Sequence, residues 1–131
     1  MARAVPRARR RREQVALLEG RVDRIVALTH IGLPADRNLA ESVDGIDLIV
    51  GGHSHTAMEA AERVGDTWIV QAGEYARNGG VAQSVAGGEG EWQWDRIDLV
   101  KAGPPPSDEM QRLVEHWDRK VVERFEGPVG V

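Results

Sequence analysis

Apolar positions along the chain keep two different rhythms. Over residues 9–19, Val15 and Leu18 with Ala16 recur at helical spacing, and Gly20 follows where a C-terminal cap belongs, which predicts a helix. Residues 24–28 are a short continuous run (Ile25, Val26, Ala27, Leu28), the composition of a strand buried on both faces. Pro34 then opens a second helix to Val43, with Leu39 and Val43 facing inward and the proline tolerated in the first turn. Two more apolar runs follow, over 47–50 and 67–72, the first stopping at Gly51 and Gly52 and the second at Gly73. Strand, helix and strand in that order imply a βαβ crossover and a parallel or mixed sheet.

Beyond Gly80 the rhythm shortens. Residues 81–85 and 91–100 flank Gly87, Gly88, Glu89 and Gly90, a β-hairpin signal. Trp92 and Trp94 share one face while Ile97 and Leu99 fall in the opposite phase, so a bulge near Asp95 or Arg96 is expected. Pro104, Pro105 and Pro106 end the sheet region. Ser107, Asp108 and Glu109 then suit a helix N-terminus by capping and dipole logic. That helix runs to Phe125 with Met110, Leu113, Val114, Trp117, Val121 and Phe125 on one stripe. The four aromatic residues Trp92, Trp94, Trp117 and Phe125 are assigned to packing.

At 131 residues the chain is one ordinary domain at most. No apolar run approaches the roughly 18–20 residues of a membrane-spanning helix. Without cysteine there is neither a disulfide framework nor a thiolate metal site. The formal charge of -4 is uneven: six of the 17 basic residues are arginines within residues 1–12, which contain no acid. Such a block is either a nucleic-acid-binding arm or the solvated start of a helix. No aromatic residue interleaves the arginines and the acidic body repels phosphate backbones, so no specific nucleic-acid complex is expected. No apolar core of the signal-peptide kind follows the basic start, so an unexported chain is expected.

Three of the four histidines follow strands directly, His30 after the first run and His53 and His55 after the second. In an open α/β sheet ligands bind beyond the carboxyl ends of the strands, so these imidazoles are expected in one crevice. Gly51 and Gly52 let the backbone turn sharply, and a His-x-His pair on that turn directs two rings to neighbouring points. Neutral imidazole is a common ligand for zinc, manganese and iron, which makes a metal the natural object of the convergence. His116, between Leu113 and Trp117 on the last helix, is assigned a structural role.

The string IVALTHIGLPADRNLAESVDGIDLIVGGHSHT, from Ile25 to Thr56, with the following WIVQAGEYARNGG, resembles the second half of the catalytic domain of the bacterial 5′-nucleotidases, members of the calcineurin-like metallophosphoesterases. The resemblance extends over residues 13–128. It implies part of an α/β/β/α sandwich: an α/β fold with a mixed sheet, flanking helices and a C-terminal β-hairpin plus helix. Residues 1–12 are then an arginine-rich segment, 13–103 a partial metallophosphoesterase domain, and 104–131 a proline linker and helix leading into a further domain.

The family holds two divalent metal ions, zinc or manganese, and hydrolyses nucleotides or other phosphate esters; its members are typically periplasmic or extracellular. His30 matches its isolated ligand histidine, His53 a ligand to the same metal, and His55 a ligand to the other. Gly52, Gln71, Gly73 and Glu74 match loops beside the substrate. The family's Asp-x-His, Gly-Asp with a further Asp, and Asn-His motifs have no counterpart: no Asp lies two positions before a His, neither Asn38 nor Asn78 precedes a His, and Gly65-Asp66 lacks the second acid. No catalytic residue is therefore assigned, and the chain is expected to be a fragment inactive alone, completed by an N-terminal half. The alternative is a non-enzymatic α/β module that pairs with another chain or with itself through an unpaired sheet edge.

Overall fold

Residues 7–85, 90–102 and 105–125 are described in the computed structural model of the chain. They form helix α1 (Arg7–Leu18), strand β1 (Val26–Leu28), helix α2 (Leu33–Ser42), strands β2 (Leu48–Val50), β3 (Glu62–Val64), β4 (Thr67–Val70), β5 (Asn78–Ser84) and β6 (Trp92–Asp98), the short helix α3 (Leu99–Ala102) and helix α4 (Asp108–Phe125). β1, β2, β4 and β3 make one sheet in that order, with β1–β2 and β2–β4 parallel and β3–β4 antiparallel. The expected α/β architecture with a mixed sheet and flanking helices is present. Val26–Leu28 pair with Leu48–Val50, so the βαβ crossover through α2 brings the ends of both strands to one rim. That rim carries the loops with His30 and His53.

The core lies where α2 covers β2 and β4. Leu33, Leu39, Ala40 and Val43 of the helix segment cluster with Ile46, Ile49, Met58 and Ile69. Ile49 and Ile69 face each other across the ladder and are both fully buried. α1 joins through Val15, which packs on the core and against Gly45. Arg12 donates from Nε to the Ser42 carbonyl at 2.8 Å, satisfying an otherwise unpaired group at the end of α2. Arg7–Arg12 thus begin a helix, which favours the helix-start reading of the arginine block.

Several expectations are corrected. β1 is not buried on both faces: it is the outer strand of its sheet, and Val26 and Leu28 are 51% and 85% exposed. The bulge near Asp95 is absent, since β5 and β6 pair in unbroken register from Asn78↔Asp98 to Ser84↔Trp92. Arg96 explains why none is needed. It occupies the half-buried face in line with Trp92 and Trp94, donates to Asn78 Oδ1 at 2.6 Å and pairs with Glu59, so a satisfied polar group fills the slot assigned to an apolar one. Residues 99–102 turn into α3 instead of extending the strand. The glycine-rich connection at 86–89 and Pro104 lie outside the described residues.

β3 was not expected. Glu62 and Val64 are only half buried and Arg63 is exposed, so its apolar signal is weak; pairing with β4 across the Gly65-Asp66 turn makes it a strand. Trp94 donates from Nε1 to the Met58 carbonyl and Trp68 to that of Gly90, both at 2.8 Å, tying the hairpin to the first sheet. α4 begins as the capping residues require, with Met110 N–H donating to Ser107 Oγ at 3.2 Å. Its apolar stripe, however, packs on nothing among the described residues: Met110, Leu113, Trp117 and Phe125 are all exposed. Trp117 meets the His116 ring and lies under the Lys120 ammonium, and these local contacts replace the core role assigned to it.

Arg37 of α2 reaches over to β3 and holds Glu62 by two charge-assisted bonds of 2.6 and 2.8 Å. The hydrogen bond from Arg37 holds the Glu62 carboxyl below its ordinary value of 4.5, and the same bond raises the guanidinium. A carboxylate lowered in the folded state adds stability above its ordinary value and loses it as pH falls through the folded one. The parent is therefore expected to melt above Glu62→Gln near neutrality, with the gap in Tm closing as pH drops below 4.5. Thermal melts of both proteins across that range check it; because both groups are partly exposed, the gap is small.

Candidate metal-binding site

β1 delivers Thr29 and His30 to the rim, and β2 delivers Gly51, Gly52 and His53 beside them. Thr29 N–H still donates to the Val50 carbonyl at 3.0 Å, so the sheet ladder holds the backbone up to the residue before His30. The His30 and His53 rings meet edge to face, with centroids 5.3 Å apart and planes 74° apart. Gly52 makes this approach possible: a Cβ there would lie 2.9 Å from His30 Nδ1. The turn itself is held against local preference, since His53 and His55 both have left-handed backbone (φ 78° and 57°). Such residues cost on the order of 1–3 kcal/mol each and persist only where their surroundings dictate them.

Those surroundings are two buried polar side chains. Gln71, 1% exposed, accepts at Oε1 from Thr56 N–H (2.6 Å) and Ser54 Oγ (2.9 Å), and donates from Nε2 to the Gly52 carbonyl (3.2 Å). Because a backbone N–H can only donate, the Thr56 bond sets which end of the amide faces the turn. Asp36, fully buried on α2, accepts from Thr29 Oγ1 at 2.7 Å, while its Oδ2 has no hydrogen-bond partner. Gly51 passes between these two side chains, where any Cβ would overlap Asp36 Oδ2.

The remaining residues singled out in the sequence fall around this turn. His55 Nδ1 lies 2.6 Å from Glu74 Oε2, and its ring meets that of Tyr75 at 5.5 Å, so it is turned to a different set of partners from His30 and His53. Glu74 thus stands beside an imidazole of the turn. Gly73 has a left-handed φ of 93°, and a Cβ on it would come within 3.0 Å of Asn78 Nδ2. Tyr75 and Ala76 are left-handed too, so the loop facing the histidine turn is equally constrained. His116 is exposed on α4 and meets its neighbour Trp117.

Sequence reasoning passed over Asp36, Thr29, Ser54, Thr56 and Tyr75. Asp36 had a readable signal: it lies at helical spacing between Leu33 and Leu39 on the buried face of α2, where an unpaired charge is out of place.

The donor chemistry fits a divalent metal in part. Two imidazoles bound to one ion through nitrogens at about 2.1 Å bring their ring centres to about 4.5–5.5 Å, and the His30–His53 separation of 5.3 Å falls in that range. Among the described residues no group of three or more His, Asp or Glu side chains converges on one point. The pair therefore supplies one side of a coordination shell without closing it.

In open α/β sheets ligands bind beyond the carboxyl ends of parallel strands, and the His30–His53 pair stands at that position. No protein-family model matches the chain. It is 42% identical over 84 residues to the trifunctional nucleotide phosphoesterase protein YfkN of Bacillus subtilis, a match covering 62% of this chain and 6% of that protein. It is 49% identical over 35 residues to the 5′-nucleotidase of Bos taurus, covering 27% of this chain and 6% of the relative. Among solved structures, the sulfate thiohydrolase SoxB of Thermus thermophilus in complex with glycerol matches with a TM-score of 0.75 at 24% identity, over 91% of this chain and 22% of that one, which shows a common fold. The chain is similar to parts of proteins named nucleotide phosphoesterase and 5′-nucleotidase and spans 6% of the length of each of these two relatives. Among the described residues no helix is long and apolar enough to cross a membrane.

Proposed function

We propose that the chain forms part of the metal-holding face of a phosphoester hydrolase of 5′-nucleotidase type, with a nucleotide or a related phosphate ester as substrate. The observation that carries this reading is the edge-to-face pair of His30 and His53 at the carboxyl ends of two parallel strands. These two imidazoles would hold one divalent ion, zinc or manganese, and His55 would serve a second. The carboxylate of Glu74, 2.6 Å from His55 Nδ1, supports that assignment, since metal-binding histidines commonly have a carboxylate beside their other ring nitrogen. Divalent ions supply charge neutralisation for a phosphate ester and an acidified water in such sites. What this chain contributes is placement: the strand ends fix two rings, and the constrained turn fixes the third.

Three imidazoles do not complete two metal sites, so the 131 residues by themselves are not expected to hydrolyse phosphate esters. Joining a family-type segment with the Asp-x-His, Gly-Asp and Asn-His motifs is expected to produce metal-dependent hydrolysis. An aryl phosphate is the first substrate to test, alongside nucleotides, because it asks nothing of base recognition. A folded, metal-loaded chimera that leaves both substrates intact would overturn the proposal.

A further inference from the structure

We infer that Asp36 and Gln71 are positioning residues for the His30–His53 pair, acting through the residue next to each imidazole. Thr29 immediately precedes His30, and its hydroxyl is tied to Asp36; Ser54 immediately follows His53, and its hydroxyl is tied to Gln71. Each ring is thereby anchored on one side by a polar side chain that is almost wholly removed from water. The two anchors converge on the same backbone. Asp36 Oδ2 and Gln71 Nε2 flank Gly51, and the Gly52 carbonyl accepts from Gln71 Nε2 as well as from the amides of Gly32 and Ser54, all at 3.1–3.2 Å. Gly32 belongs to the His30 loop and Ser54 to the His53 loop, so one carbonyl locks the two loops together.

Burying these polar groups brings little stability by itself. An apolar side chain of similar shape would pack in the same space without the cost of removing a carboxylate or an amide from water. Asp36 bears that cost in full at Oδ2, which has no partner. A purely structural slot on the inward face of α2 would be filled as its neighbours Leu33 and Leu39 fill theirs. What the polar groups add is direction: hydrogen bonds of 2.6–2.9 Å hold the side chains of Thr29 and Ser54, one residue from each ring, and the backbone N–H of Thr56 on the same turn, and that restraint aims the rings.

This inference concerns the same two imidazoles as the proposed metal site and takes its purpose from that reading, but the ring geometry can be measured without metal. The test is proton NMR of the metal-free chain, reading cross-peaks between the His30 and His53 rings, with a urea melt of every variant. Thr29→Val keeps the β-branched shape and removes the donor, while Thr29→Ser restores it. In Thr29→Val and Gln71→Met the ring cross-peaks are expected to fall at least about threefold against intraring controls, and in Thr29→Ser to return to the parent level. If Gln71→Met does not fold, Ser54→Ala on the exposed turn interrogates the same bond.

A loss of stability with cross-peaks unchanged would overturn the inference, because a merely structural role predicts that outcome. Zinc titration of the same samples separates the two readings. Binding in the parent, weakened about tenfold or more in Thr29→Val and recovered in Thr29→Ser, supports both. A parent that binds no zinc but whose ring cross-peaks respond as stated sinks the metal assignment and leaves the positioning role standing. Zinc bound equally by parent and variants, with cross-peaks intact, sinks the positioning role alone.

Discussion

His30→Ala and His53→Ala, each made in the chimera that carries the completing metal motifs, are expected to lower phosphate-ester hydrolysis by about a hundredfold or more. Loss of a group that only orients a ligand already costs about 10–100-fold in affinity or activity, and here the ligand itself is removed. The two substitutions should cost no more together than either alone once the shared ion is lost, since residues acting as one unit are strongly non-additive. His116→Ala, on an exposed helix face, should leave the rate within about twofold. Steady-state kinetics with an aryl phosphate decide it. A His30→Ala chimera as active as its parent would remove that imidazole from the chemistry.

The second large effect lies in the core. Ile49 is fully buried at the centre of β2, in register with Ala27 on one side and Ile69 on the other. Truncating it removes buried methyl groups and leaves a cavity between sheet and α2, a loss of about 2–5 kcal/mol. A small domain holds only about 5–15 kcal/mol in total, so Ile49→Ala is expected to unfold a large share of the molecules or to lower the urea midpoint severely. Leu28→Ala, 85% exposed on the sheet's outer strand, should change the midpoint little. Equal midpoints for the two variants would contradict the placement of the core.

The contrast between Ile49 and Leu28 also shows what could be read in advance. Both stand in short apolar runs of the same composition, and such a run says "strand" without saying which strand lies at the centre. Burial follows from sheet order, and order is a long-range property that no local window contains. The strand ends were legible for the opposite reason. His30, Gly51, Gly52 and His53 follow their strands directly, and the crossover rule brings parallel strand ends to one rim, so the meeting of His30 and His53 followed from local signals plus one rule of topology.

Pairs across the fold were not legible in that way. Arg96 with Asn78 and Glu59, Arg37 with Glu62, and Thr29 with Asp36 join residues whose separate sequence contexts carry no mark of each other. The stripe on α4 was read correctly as an amphipathic face, yet amphipathicity records the preference for a partner surface and not its presence. Among the described residues the helix finds none. His55 lies between these cases: its place on the turn followed from the motif, whereas its close approach to Glu74 depends on how two constrained loops meet.

Calorimetric titration of the 131-residue chain with zinc, at neutral pH and with the parent compared to His30→Ala, His53→Ala and His116→Ala, tests the metal site most directly. Weak binding in the parent is expected, because two imidazoles hold an ion without closing its shell, with that binding lost in the first two variants and kept in the third. Zinc affinity unchanged in His53→Ala would contradict the assignment of the strand-end pair as a metal site.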